Sequence, residues 1–435
     1  MAMARNGIVL SSTAALTAAV AVVGFQLANP SAAAFRNSPK ELVDEVWQVV
    51  NSRYVDPAFN KTDWRGVREQ YLSRSYASRT EAYAAIREML KKLDDPYTRF
   101  LDPDQFKSMQ IDTSGELTGV GLTLGVDETT KKLTVVSPID GSPAAKAGLT
   151  AKDIVVSIDG QSTEGMDINK AVSLIRGRVG TRVRLGVARG SRKFEVTIVR
   201  EKIEIHPVKA EVRETSVGKI GYIQLRQFNG NAALDTRRAV EAQTKAGVQG
   251  FILDLRSNPG GLLYASAEIA RLWLNNATIV STVERNGESD RMVANRQSLS
   301  DKPLVVLVDK GSASASEILA GALQDNKRAT VVGTQTFGKG LVQSVHSLGD
   351  GSGLAVTIAK YLTPDGTDIN KAGIKPDVVV ELTDAQREKL IQNRDQIGTK
   401  TDPQYARALE VLESRVRKQG TPTAQSRPAT PARTQ

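Results

Sequence analysis

The sequence predicts an α/β protein, and three observations support this prediction. Short apolar strands alternate with helical patterns over residues 205–385, which is typical of a layered sheet whose faces are covered by helices. Residues 39–110 carry apolar side chains at helical spacing. Residues 116–200 form a shorter module of mostly strands. The length of 435 residues is sufficient for two to three domains of this kind.

The composition excludes several classes of protein and site. The chain has no cysteine, which excludes disulfides, thiolate nucleophiles and Cys-rich zinc sites. Two histidines, His206 and His346, are too few for a His-rich metal site, and we expect neither a metal nor a cofactor. The net charge is +10 and aromatic residues make up 5%. Nucleic-acid binding requires a clustered basic stripe, usually with stacking aromatics, and the sequence has neither.

Residues 1–34 have the pattern of a secretory signal peptide. Arg5 precedes an uncharged apolar run at 8–28, and Pro30 with the small residues 31–34 offers a cleavage site. The run is also close to the length of about 20 residues that spans a bilayer, so a membrane anchor is the alternative. Because the small residues follow the run directly, we expect cleavage and an exported protein that begins near Phe35.

Residues 35–112 are predicted to form a helical segment that covers a larger domain. Residues 113–204 are predicted to form the strand-rich module, with strands at 119–125, 133–137, 153–158, 182–187 and 193–199. Its first helix should follow the N-cap Ser142, and its second helix should start at Asp167. One turn of the module is a candidate for binding a terminal carboxylate through backbone N–H groups, with an ordinary β-turn as the alternative; it comprises Gly119, Val120, Gly121 and Leu122.

Residues 205–385 are predicted to form the core of the protein. The expected strands lie at 219–225, 251–255, 304–308, 329–332, 343–346 and 354–360, and the expected helices at 232–245, 262–274 and 317–325. Residues 386–435 are predicted to continue as a charged helix to about residue 416. A disordered tail rich in Thr, Pro, Ala and Gln should follow.

Two strand–turn–helix units of this core carry residues that suit catalysis. One strand is followed by the turn 256–261, and another by the Ser-rich turn 311–316 before a helix from Glu317. A hydroxyl at a helix N-terminus, beside outward-pointing N–H groups, suits a serine nucleophile with an oxyanion hole. Ser314 and Glu317 also match a capping box, in which the serine only satisfies a backbone N–H, and the pattern by itself favours this structural role. The turn at 259–261 is by itself typical of a plain turn.

A serine nucleophile needs a base, and Lys339 is the candidate. Neither histidine suits this role, because His206 precedes a proline in an interdomain stretch and His346 lies within a predicted strand. A neutral lysine can replace histidine, but its ordinary pKa of about 10.4 must then fall by about 2–3. This fall requires burial in a rigid loop, and Lys339 fits because it lies between Gly338 and Gly340.

These segments together resemble the carboxyl-terminal-processing (tail-specific) serine proteases over nearly all of residues 36–385. The matching motifs are 254–261, 311–317 and 336–343. The resemblance implies a spiral α/β core similar to the Clp-protease/crotonase group, with 205–385 as the serine protease core and 113–204 as an inserted PDZ domain. It also implies an endopeptidase that removes C-terminal extensions from exported proteins and binds the substrate C-terminus with its PDZ domain.

The resemblance assigns roles to individual residues. It makes Ser314 the nucleophile, Lys339 its general base and Gln343 the residue that orients this lysine. Three supporting positions around the site are matched by Glu317, Asp254 and Arg256. The expected donors to the oxyanion are the backbone N–H groups of Ala315 and of Gly260 or Gly261.

Residues 44–64 and 351–364 resemble the photosynthetic branch of this family. That branch trims the precursor of a photosystem II reaction-centre protein, so the implied substrate is a membrane protein and the enzyme works near a membrane. Together with the predicted signal peptide, this implies the thylakoid lumen or the periplasm. The alternatives are a non-catalytic PDZ scaffold, since similar cores occur in retinoid-binding repeats, and a His-dependent PDZ protease, which the positions of the two histidines disfavour.

Overall fold

The computed structural model of the protein describes residues 22–26, 38–287 and 289–420. They divide into two compact units, of which one comprises residues 103–207 with 229–231 and the other comprises the rest. The predicted signal peptide apart from 22–26, the cleavage site near Phe35 and the predicted disordered tail from 421 lie outside the described residues. Within the described ranges, no helix combines the length and the apolar character that crossing a bilayer requires.

The N-terminal part of the larger unit is helical, as predicted, but it also contains two strands. Its elements are β1 (Val22–Gln26), α1 (Pro39–Arg53), a 3₁₀ turn (Phe59–Lys61), α2 (Trp64–Leu72), α3 (Arg79–Lys91) and β2 (Arg99–Leu101). The buried faces of the helices, including Val46 and Ile86, pack on Leu354 and Val356 of the core. The expectation of helices only over 39–110 was wrong at β2, because three residues are too few to show a strand period.

The smaller unit contains an antiparallel sheet and three helices. Its elements are α4 (Pro103–Ser114), β3 (Glu116–Gly119), β4 (Leu122–Val126), β5 (Leu133–Pro138), α5 (Pro143–Lys146), β6 (Ile154–Ile158), β7 (Gln161–Ser162), α6 (Ile168–Ile175), β8 (Arg182–Arg189), β9 (Arg192–Val199) and β10 (Glu201–Glu204). The sheet has the order β4-β5-β6-β8-β9. Ser142 caps α5, as predicted, and Asp167, where the second helix was expected to start, is the N-cap of α6; each side chain accepts a hydrogen bond from a backbone N–H of the first turn.

The core of the larger unit alternates strand and helix. Its elements are β11 (Val208–Thr215), β12 (Gly218–Leu225), α7 (Ala232–Lys245), β13 (Phe251–Asp254), α8 (Leu263–Arg271), β14 (Thr278–Glu284), β15 (Ser289–Val293), β16 (Leu304–Val308), α9 (Ala315–Asp325), β17 (Thr330–Gly333), β18 (Leu341–Ser347), β19 (Gly353–Leu362) and β20 (Val378–Val379). Every strand and helix predicted over 219–360 is present. The sequence analysis missed β11, β14, β15 and β20; β11, for example, has no fully buried residue and lacks the apolar signal of a buried strand.

Two sheets build this core. One has the order β11-β12-β13-β16-β17-β20 and is parallel from β12 onward. The other has the order β1-β18-β19-β14-β15, with β2 also paired to β19. Asp254 of β13 pairs with Leu307 of β16. The carboxyl ends of these two parallel strands therefore bring the turn at 255–262 and the turn at 309–314 to the same sheet edge.

The C-terminal stretch forms α10 (Asp384–Gln392), a 3₁₀ turn (Arg394–Gln396) and α11 (Pro403–Gly420). The single charged helix that the sequence predicts is thus divided in two. The apolar face of α11, which includes Tyr405 and Leu412, packs on Ile252 and Val305 of the parallel sheet. This helix therefore covers one face of the parallel sheet rather than extending from it.

Candidate active site

Ser314 lies at the N-terminus of α9 in a strained backbone conformation. Its φ is +54° and its ψ is −113°, and non-glycine residues adopt such conformations at a cost of about 1–3 kcal/mol. The side chain is fully buried. Ser314 and Glu317 stand in the predicted capping-box arrangement, but the Ser314 hydroxyl forms no hydrogen bond of acceptable distance and angle with any described residue. The strain and the unused hydroxyl are typical of a nucleophile and not of a cap.

Glu317 joins the Ser-rich turn to the turn that carries Lys339. Its Oε2 accepts hydrogen bonds from the backbone N–H of Ser314 at 2.8 Å and of Lys339 at 2.9 Å. Its Oε1 accepts from Gly338 N at 2.7 Å and from Thr336 Oγ1 at 2.5 Å. Burial raises the pKa of Glu317, and the four donated hydrogen bonds oppose this rise. One buried carboxylate thus fixes the backbones of both candidate catalytic residues.

Lys339 is buried without a counter-ion. Its side chain is 1% exposed, and Nζ forms no hydrogen bond with any described residue. The pKa of Lys339 is lowered from 10.5 to about 7, chiefly by burial and secondly by the positive charge of Arg99, while Asp95 and Glu317 act in the opposite direction. Nζ also lies 4.7 Å from the centre of the Tyr97 ring. The amine can therefore be neutral near pH 7, which a general base requires.

The structure brings the backbones of Ser314 and Lys339 together but not their functional atoms. Both N–H groups bind Glu317 Oε2, and the Tyr361 hydroxyl lies within hydrogen-bond distance of both carbonyl oxygens. However, Ser314 Oγ and Lys339 Nζ form no hydrogen bond with each other. The direct contact that a Ser-Lys mechanism needs is absent from this state, and catalytic hydrogen bonds are often formed only in the substrate complex.

Gln343 is fully buried on β18, and only its nitrogen is engaged. Nε2 lies 3.5 Å from Thr357 Oγ1, and Thr357 in turn binds Asp95. The side-chain oxygen Oε1 has no hydrogen-bond partner among the described residues. Gln343 Oε1 is thus a free buried acceptor and Lys339 Nζ an unpaired buried donor, which the predicted role of Gln343 in orienting Lys339 requires.

The turn 258–262 supplies a second wall of the site. A Cβ built on Gly260 would lie 2.7 Å from Ala313 O and 3.0 Å from Ala315 N, so only glycine lets this turn lie so close to the backbone around Ser314. Gly260 N donates to Asn258 Oδ1 at 2.9 Å. Gly261 forms a parallel bridge with Phe228, in which Phe228 N donates to Gly260 O and Leu262 N donates to Phe228 O. The N–H of Gly261 itself therefore points away from Phe228. Of the two glycines that the sequence left open, Gly261 is therefore the better candidate for the expected oxyanion donor beside Ala315.

Arg256 stabilises this turn through two buried ion pairs, with Asp254 and with Asp402. Its guanidinium lies 2.7 Å from Asp254 Oδ2 and 2.8 Å from Asp402 Oδ2, and both carboxylates are at most 1% exposed. Although burial opposes the charge, these two carboxylates raise the pKa of Arg256. Asp254 also accepts a hydrogen bond from the Tyr222 hydroxyl at 2.8 Å. The sequence analysis missed Asp402, because nothing in the pattern connects position 402 with a turn almost 150 residues earlier.

The predicted carboxylate-binding turn of the smaller unit lies between β3 and β4. Gly121 has a φ of +78°, and a Cβ at this position would lie 2.3 Å from Ser142 Cβ, so the turn requires glycine. Val120 O and Gly121 O accept hydrogen bonds from the segment around α5. Among the described strands, β4 pairs only with β5, so its other edge is available to an extended peptide.

Within the described ranges, no group of three or more His, Asp or Glu side chains could hold a metal ion.

Comparisons with known proteins match these parts of the chain. The model for peptidase family S41 matches residues 219–380, that for a PDZ domain residues 134–189, and that for the tricorn protease C1 domain residues 35–91. A carboxyl-terminal-processing protease of Synechocystis is 46% identical over 386 residues, which are 88% of each chain. The chloroplastic carboxyl-terminal-processing peptidase 2 of Arabidopsis thaliana is 43% identical over 77% of this chain and 67% of its own.

Solved structures give the same result. The structure titled photosystem II D1 C-terminal processing protease is 38% identical and superposes with a TM-score of 0.55, covering 85% of this chain and all of the other. An S41 protease of Bacteroides fragilis, described as putative in its title, is 17% identical with a TM-score of 0.53, and this likeness concerns the fold alone.

Proposed function

Because this chain belongs to peptidase family S41 and is a serine-type carboxyl-terminal-processing peptidase, we propose that Ser314 and Lys339 are its catalytic pair. The neutral amine of Lys339 takes the proton of Ser314 as Oγ attacks the scissile carbonyl carbon. The N–H groups of Ala315 and Gly261 stabilise the resulting oxyanion. The C–N bond then breaks, and the Lys339 ammonium returns the proton to the leaving amine. Water hydrolyses the acyl-enzyme, again with Lys339 as base.

The observation that carries this proposal is the unpaired, buried amine of Lys339 on a turn that Glu317 fixes to Ser314. Because Glu317 already holds the two backbones together, we expect rotation of the Lys339 side chain to bring Nζ to Oγ in the substrate complex. A crystal structure with a peptide boronate on Ser314 should therefore show Nζ at hydrogen-bond distance, about 2.6–3.2 Å, from Oγ. Nζ turned away from Oγ in that complex would contradict the assignment.

Replacement of the two residues tests their roles in solution. Ser314→Ala and Lys339→Ala should each abolish cleavage while the circular dichroism spectrum is retained. Lys339→Arg should also fail, because a guanidinium cannot become a neutral base. Lys310→Ala is the matched control, since Lys310 is an exposed lysine on the Ser-rich turn and should be dispensable. Substantial cleavage by Lys339→Ala would refute Lys339 as the base.

The proposed substrate is the C-terminal extension of a photosystem II reaction-centre precursor. The similar structure is titled as a D1 C-terminal processing protease, and the similar sequences come from a cyanobacterium and a chloroplast. We accordingly place the mature enzyme in the thylakoid lumen or the periplasm, close to a membrane-protein substrate. Loss of the gene should leave the precursor unprocessed in cells. An N-terminus of the mature protein near residue 35 would support export, and an intact residue 1 would contradict it.

The PDZ domain is proposed to bind the substrate C-terminus, with the turn from Gly119 to Leu122 receiving the carboxylate and the free edge of β4 pairing with the peptide. A substrate peptide with a C-terminal amide should then show a raised KM compared with the free acid. Equal KM values for the two peptides would contradict this role. The alternative of a non-catalytic scaffold is not retained, because the chain is a peptidase.

A further inference from the structure

A series of hydrogen bonds leads from the half-buried Asp95 to the fully buried Gln343. Thr98 Oγ1 and Thr357 Oγ1 each lie 2.7 Å from Asp95 Oδ2, and Gln343 Nε2 lies 3.5 Å from Thr357 Oγ1. Thr98 is 4% exposed, Thr357 1% and Gln343 0%, whereas Asp95 is half-buried, so the end of the series at Gln343 is shielded from bulk water. The series joins the turn after α3 to β19 and then to β18, which no local pattern in the sequence connects.

The donors and acceptors in this series of hydrogen bonds can be assigned in only one way. An ionised Asp95 carboxylate only accepts, so the Thr357 hydroxyl gives its single proton to Asp95. Thr98 likewise donates to Asp95, and its oxygen accepts the Thr357 backbone N–H at 3.1 Å. The Thr357 oxygen then has only lone pairs left for Gln343. The amide group that faces it must therefore be the NH₂ group, and the carbonyl oxygen Oε1 must point to the opposite side.

The strand register supports a dedicated contact between Thr357 and Gln343. The ladder between β18 and β19 shifts by one residue between Val342 and Gln343, so that Val342 pairs with Ala359 and Gln343 pairs with Thr357. Such an irregularity re-aims a side chain and often lies next to an active site. Here it sets Gln343 directly opposite the hydroxyl that fixes its amide.

We propose that Asp95 and Thr357 are positioning residues for catalysis, because they hold the Gln343 amide with its carbonyl oxygen free for Lys339. This inference rests on the proposed role of Lys339 as the base. Gln343 Oε1 and Lys339 Nζ are both buried without a partner, and each supplies what the other lacks. When one N–H of the neutral amine donates to Oε1, the rotation of the amine is restricted. Its lone pair is then available to the Ser314 hydroxyl in a defined direction.

The test compares Thr357→Val with the matched variant Thr357→Ser. Valine keeps the shape and removes the hydroxyl, whereas serine keeps the hydroxyl. Thr357→Val should lower kcat about ten- to a hundredfold, which is the effect expected from one buried, unsatisfied amide, with little change in KM. Thr357→Ser should stay within about threefold of wild type. All rates are measured at pH 9, where Lys339 is neutral, so that the charge of Asp95 does not influence the comparison.

A double-mutant cycle separates positioning from a general structural role. If Thr357 acts through Gln343, adding Thr357→Val to Gln343→Ala should lower kcat by less than about twofold. Asp95→Asn should likewise lower kcat by less than about twofold in the Gln343→Ala background. This variant gives a second test if Thr357→Val folds poorly. The acylation rate with a serine-directed probe serves as the readout where turnover is too slow. If Thr357→Val lowers kcat by the same factor in the wild-type and the Gln343→Ala backgrounds, the inference is overturned.

Lys339→Ala, measured in the same series, distinguishes the two levels of the argument. If Lys339→Ala cleaves substrate, the base assignment and with it the proposed mechanism fail. If Lys339→Ala is inactive while Thr357→Val retains the wild-type kcat, the mechanism stands and only the positioning role of Asp95 and Thr357 is refuted.

Discussion

Lowering the pH should inactivate this enzyme by protonating Lys339. The pKa of Lys339 falls from 10.5 to about 7, chiefly because of burial. At about 1.4 kcal/mol for each pH unit, this corresponds to about 5 kcal/mol by which the fold disfavours the charged amine. About half of the enzyme then has a neutral Lys339 at pH 7. An unperturbed lysine would be neutral in well under 0.1% of the molecules at this pH.

The expected effect on activity follows from the neutral fraction. With a pKa of about 7, roughly 90% of Lys339 is neutral at pH 8 and roughly 1% at pH 5. We therefore expect kcat/KM to fall about ninetyfold between pH 8 and pH 5, with a slope of one on the acidic side. The groups that set this midpoint are Arg99, which lowers the pKa, and Asp95 and Glu317, which raise it.

The assay uses initial rates at low substrate concentration, since kcat/KM reports ionisation of the free enzyme. The peptide substrate should lack His and acidic side chains and carry its C-terminal carboxylate, which stays ionised above pH 5. Near-UV circular dichroism at each pH verifies that the enzyme remains folded. A profile that stays flat from pH 8 to pH 5, or one whose midpoint lies near 10, would refute the reasoning that burial makes Lys339 a base.

Three further predictions concern stability and backbone geometry. Lys339→Met should be inactive, but its free energy of unfolding at pH 7 should be a few kcal/mol larger than that of the wild type. Because the folded wild type binds fewer protons than the unfolded chain between pH 7 and 10.5, this gain should shrink at pH 10 in urea titrations. A gain in stability that does not change with pH would contradict this prediction. Arg256→Met leaves two buried carboxylates unpaired and should cost about 3–5 kcal/mol. The exposed ion-pair variant Arg407→Ala should cost less than about 1 kcal/mol, and similar losses for both variants would argue against the buried network. Gly260→Ala should abolish activity because its Cβ would lie 2.7 Å from a backbone oxygen, whereas Gly141→Ala, also at positive φ but in open space, should remain active in the same peptide assay.

Much of the fold was predictable because its signals are local. The alternation of apolar strands with helical patterns identifies the parallel core, and the helix bounds at Ala232–Lys245 and the N-caps at Ser142 and Asp167 depend only on neighbouring residues. Strands with little apolar signal were missed, among them Val208–Thr215, which lies at a sheet edge and stays half exposed. Strand pairing is a property of distant segments, so the register at Gln343 could not be predicted from its own surroundings.

The sequence by itself determined the chemical groups of the site: a serine at a helix N-terminus, a lysine between two glycines and a glycine turn, in a chain without cysteine. Its local pattern could not decide whether Ser314 is a cap or a nucleophile, since both roles require a hydroxyl at the same position. Only the tertiary structure decided the surroundings on which reactivity depends. Burial and the distant Arg99 lower the pKa of Lys339, and a carboxylate from residue 402 binds Arg256 at the start of the glycine turn. Desolvation and long-range ion pairs arise only when remote segments pack together, and for this reason no local pattern contains them.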